Sequence, residues 1–327
     1  MKKNLCLVQK MRVAGMAGLV LLSLAVGGTH AQAKPQLFNH LFVFGDSLSD
    51  TGNYYRLSGG SPPPPYVGGR FCNGPVWVEY LSASLGMDYE PADNFAVGGA
   101  TTGTFNSNNG FAGREYPGLL DQVASFTANS TTVKHPERAL CVVGAGANDF
   151  FIALSTGASP ADVIANGVNN TISAVQQLRA VGARFILVMN VPDLGVTPMA
   201  LNMGLSEQLA QLTAAYNDTL SHALDQLAQA GIPTIRLDSY AVLDDMAKHP
   251  AQYGFAIVNV PFLFAPAGSN PDEFLFWDPV HPTTGAHEVL AEEALDQIVE
   301  AVSFCPGLGK DNEVFMHGWG MGNVHRH

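Results

Sequence analysis

Charged residues are scarce in this chain of 327 residues, at 13%, and basic side chains are the scarcer kind, with 16 against 28 acidic ones. Four basic residues and no acidic ones lie in the first 33 positions, so residues 34–327 carry a formal charge of −16. Nucleic acid and anionic membrane surfaces both attract positive charge, so this balance argues against either as a partner. It favours a substrate with a cationic group. A hydrophobic fraction of 47% provides for a large core and excludes intrinsic disorder.

Cysteine is also rare, and only Cys72, Cys141 and Cys305 lie beyond residue 33. No C-x-x-C pair occurs, which excludes a cysteine metal site of that kind and a thioredoxin-type motif. Cys141 falls in an apolar run, which predicts a buried, inert thiol. In an oxidising compartment this favours a disulfide between Cys72 and Cys305, with the other pairings left open.

Several catalytic motifs are missing. The sequence has no G-x-S-x-G nucleophile elbow, no phosphate-binding G-x-x-x-x-G-K-[ST], and no G-x-G-x-x-G after a strand. Residues 287–291 begin like a zinc-protease helix but lack the second His. We therefore expect no cofactor and no metal.

Long apolar runs are confined to the start of the chain. Residues 16–26 are apolar or small, follow the basic stretch 2–12, and precede Ala-Gln-Ala at 31–33. This order predicts a signal peptide over residues 1–33, with Lys34 first in the mature protein, and export to the periplasm or beyond the cell. A spanning helix needs about 20 apolar residues, so an uncleaved anchor is the less favoured alternative. We expect no transmembrane anchor in the mature chain.

The rest of the chain alternates short apolar runs with helical patterns, which is typical of a parallel sheet with crossover helices. The expected buried strands are residues 41–44, 94–97, 140–143, 185–189 and 234–237. The expected helices follow Ser159-Pro160 up to Gly182, span the leucine stripe 205–227, and run from about 284 to 302. Without repeats or linkers, residues 34–305 form one domain. Residues 306–327 are interpreted as a frayed tail, with metal binding by its three His as the alternative.

Ser47 lies directly after the first predicted strand, in Phe-Gly-Asp-Ser-Leu-Ser-Asp-Thr-Gly-Asn at 44–53. Residues that follow a parallel strand lie at the carboxyl edge of the sheet, where open α/β folds bind ligands. Backbone N–H groups at that edge suit an oxyanion. A Ser in this position is also a common helix cap, so a catalytic role requires partners.

Asp278 and His281 occur in Asp-Pro-Val-His-Pro, just before the last predicted helix. A Ser hydroxyl is a poor nucleophile unless an imidazole accepts its proton, and that imidazole needs a carboxylate at its other nitrogen. A spacing of three residues in a proline-restrained turn permits the carboxylate contact locally. A solvated turn with an ordinary His is the alternative.

Gly99 and Asn148 each follow another predicted strand, so we expect both at the same sheet edge as Ser47. A glycine N–H and an asparagine amide can donate to a developing oxyanion, and losing one such donor costs about 3–4 kcal/mol. Singly, either residue is more typical of a turn. Together with Ser47 and His281 they predict a nucleophilic site.

This set of residues resembles the GDSL or SGNH serine hydrolases, over essentially the whole chain beyond residue 33. The four blocks follow the family order: 44–53, the Gly at 99, Gly-Ala-Asn-Asp at 146–149, and Asp-Pro-Val-His at 278–281. The resemblance implies a flavodoxin-like three-layer α/β/α sandwich with a five-stranded parallel sheet. It implies a Ser47 nucleophile, a His281 base and an Asp278 partner. It further implies an oxyanion hole of the Ser47 and Gly99 N–H groups and the Asn148 side chain. Gly98 beside Gly99 departs from the pattern and leaves the choice of donor open.

Residues 69–77 and the long first block resemble the larger, lipase-like branch of that family. The implied activity is hydrolysis of lipid, lysophospholipid or choline esters, with acyl transfer and carbohydrate deacetylation as alternatives. A non-catalytic binding protein would be expected to lack one of the four key side chains, and all are present. The aromatic runs 262–264 and 274–277 are candidates for an acyl pocket or for loop packing. Oligomeric state stays open.

Overall fold

A computed structural model describes residues 37–129 and 136–303 of the chain. The predicted signal peptide, Cys305 and the tail 306–327 lie outside these residues. The domain boundaries and the Cys72–Cys305 pairing therefore stay predictions. Within the described part, Cys72 and Cys141 are both buried thiols, and burial raises the pKa of each to about 12.

Four parallel strands form the sheet, in the spatial order β1-β2-β3-β4. They are short and almost wholly buried, as the apolar runs predict, and their bounds are β1 (His40–Gly45), β2 (Ala139–Gly144), β3 (Phe185–Met189) and β4 (Ile235–Leu237). Since all four run in the same direction, their carboxyl ends share one edge of the sheet.

The predicted fifth strand at residues 94–97 is not a regular strand. Its backbone meets β1 through two hydrogen bonds, from Phe95 N to Val43 O at 2.8 Å and from Val97 N to Gly45 O at 3.1 Å. A continuing ladder would use the Gly45 N–H as well, but that group donates to Gln122 Oε1 at 2.8 Å. The inserted glutamine amide ends the pairing, so the prediction of five strands is corrected to four.

Nine α-helices connect and cover the strands in the described part of the chain. Their bounds are α1 (Asn53–Ser58), α2 (Trp77–Ser84), α3 (Leu119–Ala128), α4 (Ala147–Thr156), α5 (Pro160–Ala180), α6 (Pro198–Met203), α7 (Ser206–Gln229), α8 (Ser239–Lys248) and α9 (Thr284–Ser303). The predicted helices α5, α7 and α9 are confirmed. Pro160 begins α5, and the side chain of Ser159 before it makes no capping hydrogen bond.

The two faces of the sheet bury separate apolar clusters, as alternation along each strand requires. Phe42 and Phe44 of β1 point to the side covered by α3, α5 and α7. Leu41 and Val43 point to the side covered by α2 and α9. The fold is therefore a three-layer α/β/α sandwich, in agreement with the predicted class. No helix within residues 37–129 and 136–303 has the length and apolar character needed to cross a membrane.

Candidate active site

Ser47 sits in a tight turn immediately after β1. The Asp46 carbonyl accepts the N–H groups of Ser49 and Asp50, at 3.1 and 3.0 Å, and the Asp46 carboxylate accepts the N–H of Leu48 at 3.1 Å. The Ser47 side chain is half-buried, and its N–H donates to no other described residue. The turn therefore presents both the hydroxyl and a free N–H at the carboxyl edge of the sheet.

A buried carboxylate, Asp50, ties this turn to the segment that carries Gly99. Its oxygens accept the N–H groups of Gly52 and Tyr54, at 2.8 and 2.9 Å, and that of Gly98 at 2.8 Å. Asp50, the second acidic residue of the first block, thus holds the loop after β1 and the loop that carries Gly99 in fixed positions relative to each other.

Asp278 and His281 meet inside one turn that ends at α9. His281 Nδ1 lies 2.6 Å from Asp278 Oδ2, and Asp278 Oδ1 accepts the N–H groups of Val280 and His281 at 2.9 and 2.8 Å. On the far side of the ring, His281 Nε2 lies 2.7 Å from Ser47 Oγ. The fold thus brings Ser47 to a pair of residues that lie more than 230 positions later in the sequence.

Burial and hydrogen bonding together determine the protonation states of Asp278 and His281. Burial raises the pKa of the Asp278 carboxyl, but the charge and hydrogen bonds of His281 outweigh it and the pKa falls to about 2. Burial lowers the pKa of His281, and the Asp278 charge reverses that effect, so the net pKa lies above the usual 6.5. Because Asp278 is ionised, we assign the imidazole proton to Nδ1, which leaves Nε2 to accept the hydroxyl proton.

Gly99, and not Gly98, has a backbone N–H without a partner among the described residues. Gly99 has φ +82°, and a Cβ there would lie 2.5 Å from Asn106 Oδ1, so only glycine fits. A Cβ on Gly98 would lie 2.2 Å from the Phe71 ring. Of the two adjacent glycines, Gly99 is therefore the one whose N–H is free to donate to a ligand.

Asn148 lies in the first turn of α4, which follows β2. One amide hydrogen of its Nδ2 goes to the carbonyl of Ala100, at 3.0 Å. The next residue, Asp149, accepts both the N–H and the hydroxyl of Thr102, at 3.0 and 2.7 Å. These bonds fasten α4 to the loop after Gly99, and the second amide hydrogen of Asn148 stays available.

A cavity of about 360 Å³ adjoins four of the five predicted site residues, and Asp278 lies behind His281 outside its lining. Ser47, Gly99, Asn148 and His281 all line it. The remaining wall is mainly apolar, and the part that we call the acyl limb consists of Leu194, Met199, Val242, Leu243 and Met246. The cavity therefore places a hydroxyl and an imidazole beside hydrogen-bond donors of Ser47, Gly99 and Asn148 and next to an apolar wall.

The aromatic runs 262–264 and 274–277 do not line this cavity. Phe274 and the three residues after it are buried in loop packing, and Phe262 stacks on Trp277 with ring centroids 4.9 Å apart. Phe264 is 67% exposed. Of the two alternatives that the sequence left open for these runs, the structure favours loop packing, and α8 supplies part of the cavity wall.

His287 is a second imidazole in the cavity wall. Its ring is buried, Nδ1 has no hydrogen-bond partner among the described residues, and burial lowers its pKa to about 3. It is therefore neutral at all physiological pH values.

Sequence reasoning missed two residues that contact the triad from the segment between α1 and α2. The Tyr66 hydroxyl donates to Asp278 Oδ2 at 2.8 Å, and the Phe71 ring lies 5.1 Å from the ring of His281. Neither residue has a strand or helix beside it that would have indicated its position. Four consecutive prolines at 62–65 precede Tyr66, and such a run is typical of a stiff extended segment without indicating what it contacts.

The family profile described as GDSL-like Lipase/Acylhydrolase matches residues 41–294. The chain belongs to this family. As a member, it is a serine ester hydrolase of the α/β class.

Relatives of this GDSL-like hydrolase include enzymes named for different activities. It is 30% identical to phosphatidylcholine-sterol acyltransferase of Aeromonas hydrophila, over 88% of this chain and 97% of that protein. It is 25% identical to a GDSL esterase/lipase of Arabidopsis thaliana, over 83% of this chain and 92% of that protein. The thermolabile hemolysin of Vibrio parahaemolyticus is 27% identical, over 81% of this chain and 65% of the hemolysin.

Proposed function

We propose that the protein is an exported carboxylic-ester hydrolase that works through an acyl-enzyme on Ser47. The observation that carries the proposal is the continuous chain from Ser47 Oγ through the His281 ring to Asp278, with steps of 2.7 and 2.6 Å. Ser47 Oγ attacks the ester carbonyl carbon while its proton passes to His281 Nε2. His281 returns that proton to the leaving alcohol. Water then attacks the acyl-enzyme, His281 takes its proton, and the carboxylic acid leaves as Ser47 is restored.

The oxyanion is held by three donors in this proposal. They are the N–H groups of Ser47 and Gly99 and the free amide hydrogen of Asn148. All three donors belong to segments that other hydrogen bonds fix in position: the turn after β1, the loop at Gly98 and the first turn of α4. Such preorganised donors stabilise the charge that develops in the transition state without reorganising during the reaction.

The substrates proposed are lipid, lysophospholipid or choline esters whose acyl chain enters the acyl limb. The apolar wall of the cavity supports an aliphatic acyl group, since burying it removes apolar surface from water. The charge of −16 beyond residue 33 supports a cationic head group. The signal peptide predicted over residues 1–33 supports action outside the cytoplasm.

The pH dependence of kcat/KM tests the assignment of the base. The pKa of His281 is raised above 6.5. At pH values below this pKa the imidazole is protonated and cannot accept the Ser47 proton. On a p-nitrophenyl ester, kcat/KM is expected to be constant at alkaline pH. The midpoint of the acidic limb is expected above pH 6.5, and below that midpoint kcat/KM is expected to fall by about tenfold per pH unit. A flat profile from pH 5 to 9, with chemistry limiting, would contradict the role of His281.

Met199 tests the acyl limb, because it lines the cavity and is only half-buried. Met199→Trp is expected to lower the octanoate-to-acetate ratio of kcat/KM by about tenfold, since a larger ring takes up space that a long chain needs. Met203→Trp is the matched control, because Met203 lies one turn further along α6, is 55% exposed and does not line the cavity. An equal loss of kcat/KM on the octanoate and acetate esters would show that the acyl chain binds outside the acyl limb. Choline esters of the same lengths, run in parallel, test the head group.

Acyl transfer is the second candidate, favoured by the similarity to the Aeromonas acyltransferase. Transfer and hydrolysis share the acyl-enzyme and differ only in whether an alcohol or water attacks it. Product analysis on mixed phospholipid, with and without an added lipid alcohol, separates the two.

A further inference from the structure

Tyr66 is held in a fixed position next to the triad. Its segment, between α1 and α2, is fastened to the start of α9, where Thr284 N donates to Asn73 Oδ1 at 2.8 Å. The Tyr66 ring packs edge-on against both Phe71 and Trp277, with centroids 6.3 and 6.4 Å apart. Its half-buried side chain is therefore oriented by aromatic contacts that do not involve its hydroxyl.

The Tyr66 hydroxyl completes the set of donors around Asp278. Oδ1 accepts two backbone N–H groups from the Asp278 turn itself, and Oδ2 accepts His281 Nδ1. Tyr66 supplies the fourth bond, to Oδ2 at 2.8 Å, and it is the one side-chain bond from another segment among the described contacts of this carboxylate. The carboxylate is thereby locked against rotation and shielded from water, with 4% of Asp278 exposed.

We propose that Tyr66 is a positioning residue for the hydrolysis, acting through Asp278 to hold the carboxylate in plane with the His281 ring and to set the basicity of that ring. The inference rests on the proposed function. Burial and the nearby Asp278 charge raise the pKa of Tyr66 far above its usual 10, so the phenol stays protonated and donates throughout the working range.

The sign of the effect follows from competition for one oxygen. The phenol draws negative charge from Asp278 Oδ2, so less of that charge is left to stabilise a protonated His281. Removing the hydroxyl returns the full charge to the imidazole and raises the pKa of His281. The other titratable groups that face this pair are Asp46 and His287 beside His281, and Cys72 beside Asp278. All three are unchanged in the variant.

Tyr66→Phe removes the hydroxyl and keeps the ring. In the full chain, on p-nitrophenyl butyrate, it is expected to lower kcat by about tenfold and to leave KM within about twofold, because the bond lost is one to a charged group. The midpoint of the acidic limb of kcat/KM is expected to rise by about 0.5 pH unit. A midpoint is independent of the concentration of active enzyme, so partial unfolding cannot imitate this shift.

Tyr253→Phe is the matched control. Its phenol donates to Asp245, a half-exposed carboxylate on α8 that does not line the cavity. This variant is expected to keep the wild-type kcat and midpoint. It reports the effect of removing a phenol–carboxylate hydrogen bond away from the triad.

A double variant separates action through Asp278 from a merely structural role. Tyr66→Phe is expected to change kcat by less than about twofold when Asp278→Asn is already present, because the two residues act as one unit. The inference stands only if the midpoint rises and the effects are non-additive, and any other result overturns it. A wild-type enzyme without an acidic limb, or full activity of Asp278→Asn alone, would instead overturn the proposed function.

Discussion

Replacing Ser47 by alanine is expected to lower kcat by about 10⁵-fold, because among the described residues Ser47 supplies the hydroxyl that is hydrogen-bonded to His281 Nε2. The Ser47 side chain is half-buried, and its one hydrogen bond is to His281 Nε2, so the loss of the hydroxyl leaves the turn after β1 intact. Thermal unfolding of Ser47→Ala is therefore expected to match that of the wild type. The measurement is steady-state hydrolysis of a p-nitrophenyl ester together with a thermal melt.

A covalent label makes the same assignment without substrate. A fluorophosphonate is expected to modify the wild-type protein once, on the peptide that contains Ser47, and to leave Ser47→Ala unmodified. Ser125→Ala is the control, because Ser125 is an exposed serine on α3. Wild-type turnover by Ser47→Ala, or labelling at another serine, would remove Ser47 as the nucleophile.

Asp278→Asn is expected to lower kcat by about 10⁴-fold, although the side chain keeps its shape. All four groups around the carboxylate are donors: two backbone N–H groups on Oδ1, and Tyr66 and His281 on Oδ2. An amide has one oxygen, so in either orientation its NH₂ faces two donors. If the NH₂ faces His281, the imidazole proton moves to Nε2, and the ring can no longer accept the proton of Ser47.

The control for this variant is Asp272→Asn, an exposed carboxylate in the same loop. It changes the net charge of the protein by the same amount and is expected to keep full activity. The acidic limb of Asp278→Asn is expected at lower pH than in the wild type, because the charge that raises the pKa of His281 is gone. An unchanged limb with unchanged kcat would show that Asp278 does not assist His281.

The order of strands and loops made the main features of the site predictable. Parallel strands end at one edge of a sheet, so a Ser and an Asn that each follow a strand are expected at the same edge. Ser47 and Asn148 illustrate this, since β1 and β2 pair in register to their last residues, Gly45 and Gly144. The Asp278–His281 contact spans three residues and needs only a local turn.

Details of the sheet edge depended on groups far apart in the chain. The segment 94–97 has the apolar character of a strand, and its first backbone bond to β1 forms as expected. Gln122 then takes the next N–H of β1 from a position 77 residues away. No periodicity in either segment indicates that competition, so the strand count could not be deduced locally.

The α/β class and the sheet edge at which the polar groups meet could be predicted from the sequence, because both follow from strand polarity and local turns. The resemblance to the family came from the four motif blocks and their order along the chain. Three features became visible in the folded chain alone: the N–H of Gly99 without a partner among the described residues, the contribution of α6 and α8 to the cavity wall, and the hydrogen bond from Tyr66 to Asp278 across 212 positions. The physical reason is that apolar patterning records whether a side chain is buried and carries no information about its partner. Partners across long loops are chosen by packing, which exists only once the chain has folded.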